Sequence, residues 1–348
     1  MRIGVVTSCF PARHAFGMAA TKNALASIST MKEIGKESVT WVEIDETAEG
    51  QRVDNFLLRQ LKGVPKSHVY RILRSGEVRV NSGRVDATYR LAMGDKVRIP
   101  PVRVAQAPLE HSPGPVKARF EEAVLFEDEA LLVINKPAGM AVHGGSGISL
   151  GVIEQLRRER PTLRFLELAH RLDKETSGVL IIAKKRSALT QLHDMMREGR
   201  IDKRYLCLVK GKWPNARQAV KLPLYKYLTE EGERRVRVSE EGKAAHTIFT
   251  RQRAWPDCTL LEAELKTGRT HQIRVHLAHL GYPILGDDKY GDFPLNKELA
   301  KKGLKRMALH AFQVSFLHPL TGAALRVEAE LPKDLSAFMN SLGAGATL

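Results

Sequence analysis

The densest group of reactive side chains in this sequence is the segment 169–178, which reads AHRLDKETSG. It contains Asp173 and directly precedes the strongly apolar run 179–183. Loops at strand edges are where a rigid scaffold presents reactive groups, and an ionised carboxylate in such a loop serves as a nucleophile or a base. A charged surface turn is the alternative. Because apolar segments flank the cluster on both sides, we predict that part of it is drawn into a cleft.

A second polar cluster, KTGRTHQIRVH, occupies residues 266–276 and leads from a predicted strand into a predicted helix. We expect Gly268 to permit the turn, and the first backbone N–H groups of the helix to be available to phosphate. Arg274 would face a carboxylate from another segment, and an arginine beside an aspartate favours the ionised carboxylate. A basic helix face exposed to solvent is the alternative.

A third candidate is Tyr205, which follows Lys203 and Arg204 at the start of the apolar run 206–209. A tyrosine can stack on a nucleobase. Most tyrosines in strands pack against the core or an edge, so this residue alone is a weak signal.

The elements that must position these clusters can be read from the apolar pattern. Buried strands are predicted at residues 131–134, 179–183 and 206–209, and helices from about Ser149 and from Ser187, as N-cap, to Gly199. Further strands follow without regular helices between them, at 234–238, 247–251, 259–265, 312–317 and 325–329. This order predicts an α+β domain over residues 119–342, with a mixed, mostly antiparallel central sheet.

A smaller α/β unit is predicted over residues 39–102. It has an amphipathic helix from about Val53, a second helix at Lys66–Arg74, and strands at 78–80 and 96–99. Residues 50–101 carry eleven Lys or Arg and four Asp or Glu. Cations that share one helix and its lead-in form a surface suited to phosphate, and here they are Lys62, Lys66, Arg71 and Arg74.

The whole chain of 348 residues has a net charge of +16 and an isoelectric point near 9.8. A charge this high favours a polyanionic partner, since Lys and Arg release counterions from phosphates. The three cysteines, Cys9, Cys207 and Cys258, form no paired motif, which suits a reducing compartment. No apolar run approaches the roughly 18 residues of a membrane span, so no membrane association is expected.

Three segments are predicted to lie outside the folded units. The first 32 residues contain no acid and loosely resemble a mitochondrial transit peptide, or else Met31 is the true start; either way, 1–38 is predicted to be a poorly ordered extension. Residues 103–118 are rich in proline and are predicted to be a linker. The tail 343–348 is predicted to fray.

Taken together and in this order, the strings HRLDKETSG, KRYLCLVKG and TGRTHQIRVH resemble the signature of the RluA-type pseudouridine synthases. INKPAGMAVH at 134–143 matches the family's opening strand and loop, so the resemblance covers the whole second unit. The first unit is similar to a small RNA-binding domain shared with a small-subunit ribosomal protein and some tyrosyl-tRNA synthetases. The two units together resemble most closely the group that acts on large-subunit ribosomal RNA.

The resemblance implies roles for three residues in the chemistry. Asp173 corresponds to the catalytic carboxylate, Arg274 to the basic residue paired with it, and Tyr205 to the tyrosine that packs on the target uracil. The implied reaction cuts the bond from uracil N1 to the ribose and joins C5 to the same sugar carbon. Nothing is oxidised or lost, so neither a cofactor nor a metal is expected, and no P-loop or dinucleotide fingerprint is present.

The target nucleotide must leave the RNA stack to react. Arg171 corresponds to the residue that helps to displace the base. Arg269 and His271 are further candidate RNA contacts, alongside the cations Lys66, Arg71 and Arg74 of the first unit.

Several alternatives remain. The same enzyme type acting on tRNA and a non-catalytic RNA-binding ribosome-assembly protein would both explain the charge. A serine hydrolase is disfavoured because Ile148 stands where a G-x-S-x-G elbow needs its last glycine. A zinc site at His271, His276 and His279 lacks the H-E-x-x-H spacing. We expect a monomer in the bacterial cytoplasm; a mitochondrial location is the alternative if residues 1–32 are a transit peptide.

Overall fold

The computed structural model describes residues 38–61, 63–102, 120–144, 150–343 and 346–347. The predicted extension, apart from its last residue, and the predicted linker at 103–118 therefore lie outside the described residues. So does Lys62. Within the described ranges, no helix combines the length and the apolarity needed to cross a bilayer.

The first folded unit is a three-stranded antiparallel sheet with two helices. Its strands pair in the order β1-β3-β2. The helix predicted at 66–74 has the expected bounds, whereas β1 was not predicted. The elements are β1 (Thr40–Glu43), α1 (Val53–Gln60), α2 (Lys66–Arg74), β2 (Arg79–Val80) and β3 (Lys96–Ile99).

The second unit is built on a large sheet whose main path runs β16-β12-β13-β8-β14-β7-β5-β4, with β15, β6 and β9 paired to it. Strands β10 and β11 form a separate hairpin. The strands are β4 (Val124–Glu127), β5 (Leu131–Lys136), β6 (Glu167–Leu168), β7 (Ser177–Ala183), β8 (Asp202–Lys210), β9 (Arg217–Val220), β10 (Leu224–Leu228), β11 (Arg234–Val238), β12 (Thr247–Ala254), β13 (Cys258–Leu265), β14 (Leu309–Leu317), β15 (Ala324–Glu328) and β16 (Ala346–Thr347). A short 3-10 helix (Phe120–Ala123) precedes β4, and the α-helices are α3 (Val152–Glu159), α4 (Arg186–Arg197), α5 (Gln272–His279), α6 (Phe293–Lys301) and α7 (Lys333–Ser341).

The central strands are apolar along their whole length because both faces of the sheet are covered. In β7, Leu180 and Ile182 join the core that includes α3, whereas Ile181 and Ala183 join the core that includes α4. Strands buried on both faces read as continuous apolar runs rather than as alternating patterns. This is why residues 179–183 were recognisable as a strand.

The prediction of a mixed, mostly antiparallel sheet is confirmed. In the described sheet, β7 pairs with β14 in parallel, and the other ladders are antiparallel. β8 lies between β13 and β14, and places Tyr205 opposite Ala263 on one side and Ala311 on the other. The sheet thereby brings the starts of β7 and β8 close to the end of β13, where the three predicted clusters lie.

The predicted start of α4 at Ser187 is wrong by two positions. Lys185 is the N-cap residue in an extended conformation, and Ser187 is already the second helical residue. The helix begins earlier because its buried face runs through Ala188, Leu192 and Met195, against the same core as β7. Packing of that face outweighs the capping preference of serine.

Gly178 allows β7 to lie close to β14, because glycine has no Cβ atom. Its φ is +112°, and a Cβ atom there would lie 2.1 Å from the Ala311 carbonyl oxygen. We expect Gly178→Ala to destabilise the protein by about 3 kcal/mol or more, because backbone strain and overlap act together. Gly199→Ala is the matched control, since its φ is +71° with nothing near the added carbon, and we expect about 1 kcal/mol. Equal losses of free energy of unfolding in urea titrations would contradict this reading.

Candidate active site

Asp173 projects from the loop between β6 and β7, and the residues around it fix its position. Leu172 is buried in the core, whereas the neighbouring Arg171 is exposed. The backbone carbonyl of Asp173 accepts a hydrogen bond from Thr176 N (3.1 Å), and that of Lys174 accepts one from Gly139 N (2.9 Å). The loop thus turns one side chain into the core, one to solvent and one, that of Asp173, into a cleft.

Arg274 of α5 forms an ion pair with Asp173, with Nη1 3.1 Å from Oδ2. The guanidinium is 4% exposed and the carboxylate 21% exposed. The pairing expected from the sequence is therefore present, and it joins two segments that are 101 residues apart.

A second carboxylate, which the sequence reading did not identify, holds Arg274 in place. Asp287 accepts hydrogen bonds from Arg274 Nε (2.8 Å) and Nη2 (2.7 Å), and Asp288 accepts a longer one (3.2 Å) from Nη2. Burial disfavours the charged guanidinium, but the hydrogen bonds and charge of Asp287, with the charge of Asp173, outweigh it and raise the pKa of Arg274. Two parallel N–H···O bonds fix the plane of an arginine, so Asp287 aims Nη1 at Asp173.

His271 caps α5 in a left-handed conformation, with φ of 52°. Gly268, the residue expected to permit this turn, does not have a positive φ, whereas His271 does. His271 Nε2 lies 3.8 Å from Asp173 Oδ1, and Nδ1 lies 2.8 Å from the Tyr290 hydroxyl. Burial is the main cause that lowers the pKa of His271, so the imidazole is neutral at neutral pH.

Tyr205 and Lys203 line the same cleft, which has a volume of about 530 Å³. Burial, with the charge of Asp173, raises the pKa of Tyr205, so its ring remains a neutral phenol. Burial also lowers the pKa of Lys203, whose amine has no hydrogen-bond or ion-pair partner among the described residues. The cleft therefore combines a carboxylate, an aromatic face and an unpaired amine.

Lys136 anchors the floor of the site. Its side chain is fully buried at the end of β5, and Nζ donates to the carbonyls of Pro137 (2.8 Å), Met140 (2.8 Å) and Lys174 (3.1 Å). Burial is the main cause that lowers the pKa of Lys136 to about 7. These bonds tie the loop after β5 to the residue that follows Asp173.

We expect Lys136→Met to lower both stability and turnover. Methionine fills a similar volume but removes the lysine donor from the Pro137 and Met140 carbonyls, and one of two donors from the Lys174 carbonyl. We expect a loss of about 2 kcal/mol or roughly 4–8 °C in Tm. Lys174→Met is the control, because that lysine is exposed and makes only a 4.0 Å ion pair with Glu175. Thermal melts in which both variants behave like the parent protein would contradict the anchoring role.

The imidazole of His170 makes a hydrogen bond to the backbone and is not available for chemistry in the cleft. Its Nε2 accepts the backbone N–H of Ile181 at 3.1 Å, and burial lowers its pKa to about 4. His276, one of the histidines weighed as zinc ligands, is also buried and contacts Thr247 Oγ1 and the Leu222 carbonyl. In the described part of the chain, no group of three or more His, Cys, Asp or Glu is arranged to hold a metal ion.

The predicted RNA contacts fall into two groups. Arg171, Arg269 and His271 line the cleft around Asp173. The cations of the first unit are exposed on α2, and Arg71 Nη1 lies 3.3 Å from Glu77. They are Lys66, Arg71 and Arg74. No contact with RNA is described for either group, so their roles remain predictions.

Asp287, Asp288 and Tyr290 were not predicted as site residues, although they lie together in one short string of the sequence. A buried arginine needs a carboxylate, and the acidic pair Asp287-Asp288 lies in the short glycine-flanked string GDDKYG, soon after Arg274 in a strongly basic chain. Tyr290 belongs to the same string, and its ring centroid lies 5.1 Å from the Arg274 guanidinium carbon.

Two family models match parts of this chain. Residues 130–279 match the family model described as RNA pseudouridylate synthase, and residues 51–97 match the S4 domain. Ribosomal large subunit pseudouridine synthase C of Pasteurella multocida is 51% identical over 315 residues, which cover 89% of this chain and 96% of that protein. The protein of the same name from Escherichia coli strain K12 is 52% identical over 309 residues, covering 88% and 97%.

Two solved human structures share the fold. RNA Pseudouridylate Synthase Domain Containing 4 gives a TM-score of 0.54 at 27% identity, covering 64% of this chain and 94% of that chain. RNA Pseudouridylate Synthase Domain Containing 1 gives 0.55 at 25% identity, covering 68% and 93%.

Proposed function

The chain belongs to the RluA-type family of RNA pseudouridylate synthases, and on that premise we propose that it converts specific uridines of large-subunit (23S) ribosomal RNA to pseudouridine. The observation that carries the proposal is the Asp173 carboxylate, held by Arg274 in a cleft lined by Tyr205. Relatives that are 51% and 52% identical over nearly their whole length are named as pseudouridine synthases of the ribosomal large subunit. The S4 domain at 51–97 adds a cationic surface to the catalytic unit.

The reaction needs a charged carboxylate, and it needs a site that holds the uracil after its bond to the ribose has broken. The N1–C1′ bond of the uridine breaks, a C5–C1′ bond forms, C5 loses a proton and N1 gains one. Arg274, whose Nη1 lies 3.1 Å from Oδ2 of Asp173, holds this carboxylate in position to act as nucleophile or base. Tyr205, a neutral phenol, offers an apolar face against which the detached uracil turns.

Entry of the nucleotide depends on the exposed cations of the cleft. Extrusion of a nucleotide from a stacked RNA costs a few kcal/mol, and Arg171 is exposed beside Asp173, where it can occupy the vacated space. Arg269 and the unpaired amine of Lys203 supply positive charge for the backbone of the extruded nucleotide. No cofactor takes part in this scheme.

The substrate is tested by incubating the purified protein with large-subunit ribosomal RNA, small-subunit ribosomal RNA and tRNA, followed by mapping of pseudouridine. We expect modification of a few defined uridines in the large-subunit RNA alone. Modification of tRNA alone would identify the tRNA enzyme of the same family. Tight binding without any modification would favour a non-catalytic ribosome-assembly role.

We also propose that the protein acts as a monomer in the bacterial cytoplasm. The ion pairs that hold Asp173 and Arg274 form within the chain, so the site needs no second copy. The named relatives from Pasteurella multocida and Escherichia coli are bacterial proteins. Light scattering of the purified protein should give the mass of a single chain. A dimer that persists at low concentration would contradict this part of the proposal.

A further inference from the structure

The sheet of the first unit has one face that α1 and α2 do not cover. Val80, Val97 and Ile99 point to the other face, where they are buried in one core with both helices. Because successive side chains of a strand point to opposite faces, the residues that alternate with these three point away from the core. They form the outer face of the sheet and are Trp41, Glu43, Arg79, Lys96 and Arg98.

Three of these residues form one row across the outer face. Trp41 of β1 pairs in register with Arg98 of β3, and Arg98 pairs with Arg79 of β2. Residues directly opposite each other in antiparallel strands lie on the same face, with Cβ atoms about 4.5–5.5 Å apart. The row therefore places an indole ring and two guanidinium groups side by side on hydrogen-bonded strands.

The indole of Trp41 is open to solvent, unlike those of the other two tryptophans of the chain. Trp41 is 52% exposed, whereas Trp213 and Trp255 are 1% and 4% exposed. Within the described residues, the Trp41 indole has neither a hydrogen bond nor a ring contact. Tryptophan is highly buried on average in folded proteins, so an exposed indole without a partner is available to a ligand.

The cations of the row are held in place, but their charge is not neutralised. Arg98 Nη1 donates to the Glu77 backbone carbonyl at 2.6 Å, and Arg79 donates to two nearby backbone carbonyls at 3.3 and 3.4 Å. Neither arginine has an ion pair among the described residues. Lys96 lies opposite Glu43, which is the only acid that the three strands place on this face. The outer face thus has an excess of positive charge, which favours an anionic partner.

We propose that the outer face binds a single-stranded segment of the substrate RNA, with one base stacked on Trp41 and the backbone phosphates paired with Arg79 and Arg98. Aromatic side chains on a sheet hold unpaired nucleotides in known RNA-binding modules, and cations beside them follow the backbone. The inference rests on the proposed function and deepens it. The first unit contacts RNA on two sides, through the cations of α2 and through the outer face, so recognition includes an unpaired segment besides the nucleotide in the catalytic cleft.

The first test compares the Kd of three variants for in vitro transcribed large-subunit ribosomal RNA. We expect Trp41→Ala to raise Kd about tenfold, the scale of one lost base stack, without a change in melting temperature because the ring is exposed. Trp41→Phe keeps an aromatic ring and should bind much like the parent protein. Met93→Ala is the matched control, since Met93 is a 62% exposed apolar residue of the same unit that lies in the turn before β3.

The second test uses Trp41 itself as the probe. Because Trp213 and Trp255 are buried, acrylamide should quench mainly Trp41 in the free protein. Quenching is measured on fluorescence lifetimes, so that absorption by the RNA does not interfere. Bound RNA should remove the accessible component and leave only the emission that the Trp41→Phe variant shows.

Several results would overturn the proposal. They are an unchanged Kd for Trp41→Ala, an equal loss of affinity in Met93→Ala, and a Trp41 that acrylamide still reaches in the RNA complex. A Trp41 that is already protected in the free protein, or that only ribosomal particles and not naked RNA protect, would show a different occupant and overturn it as well.

Pseudouridine mapping of the same RNA separates this proposal from the proposed function. Neither test requires turnover, so RNA that is bound but not modified would count against the function and leave the binding results decisive. A parent protein that does not bind this RNA at all would overturn both.

Discussion

Asp173→Asn is expected to abolish pseudouridine formation, with turnover at least about 10³-fold below that of the parent protein, because no other carboxylate in the described cleft can replace a catalytic nucleophile or base. Asparagine has nearly the same shape, and its amide oxygen can still accept the Arg274 hydrogen bond. The cleft should keep its geometry and lose only its negative charge. RNA binding should persist or strengthen slightly, since one negative charge is removed from a basic surface.

The measurement is pseudouridine mapping in large-subunit RNA at saturating protein, with Kd for the same RNA taken in parallel. Glu175→Gln is the matched control, as it neutralises another carboxylate of the same loop that does not line the cleft. It should leave turnover near that of the parent protein. Retained turnover in Asp173→Asn would remove the chemical role assigned to this residue.

Arg274→Met is expected to cost about 3–5 kcal/mol of unfolding free energy as well as activity, because it leaves Asp287 as a buried charge without its partner. Asp287 is 1% exposed and depends on this arginine for its only ion pair in the described structure. The hydrogen bonds and charge of Arg274, with backbone donors from Tyr290 and Lys289, lower the pKa of Asp287 against the opposing effect of burial.

The double variant Arg274→Met/Asp287→Asn separates the two effects. Asparagine carries no charge, and its amide oxygen can still accept the backbone N–H groups of Lys289 and Tyr290, which bond Asp287 Oδ1 at 2.8 and 3.0 Å. We expect urea unfolding to show that the double variant recovers a large part of the stability, while turnover remains lost because Asp173 still lacks its cation. A double variant no more stable than Arg274→Met would contradict the proposed dependence of Asp287 on Arg274.

The contribution of Asp287 to the free energy of unfolding should also depend on pH, and the direction follows from its pKa. Its pKa in the folded protein is lowered from the usual value, so the unfolded chain takes up its proton first as the pH falls. This contribution is therefore present above the unfolded pKa of about 4 and is lost below it. The parent protein should lose more stability on acidification than the Arg274→Met/Asp287→Asn variant does.

Sequence patterns predicted the central sheet because its strands are apolar along their whole length. Residues 179–183 are buried on both faces, and this leaves a continuous apolar run that no surface strand would show. The strands β1, β6 and β9 were not predicted; β6 has only two residues, which cannot establish a period. The start of α4 was placed wrongly because its cap preference and its buried face disagree.

The candidate site was predictable where its side chains stand next to one another in the sequence. Asp173 and Arg274 each belong to a recognisable polar string. The residues alone suggested a carboxylate partner for Arg274, and the family resemblance implied that this partner is Asp173. The contacts that position Arg274 depend instead on how α5 packs against residues 287–290, and no local pattern encodes that packing. Lys136 was hidden for a similar reason, since a lysine in a sequence does not reveal that its amine is surrounded by three carbonyls.

The most direct test of the central claim is a crystal structure of the Asp173→Asn variant bound to a large-subunit RNA fragment that contains a target uridine. We predict that the uridine is extruded into the cleft, with its C1′ about 3–3.5 Å from the substituted side chain and its uracil against the Tyr205 ring. A target uridine that stays stacked in the RNA, or that lies outside the space between Asp173, Tyr205 and Arg274, would contradict the account.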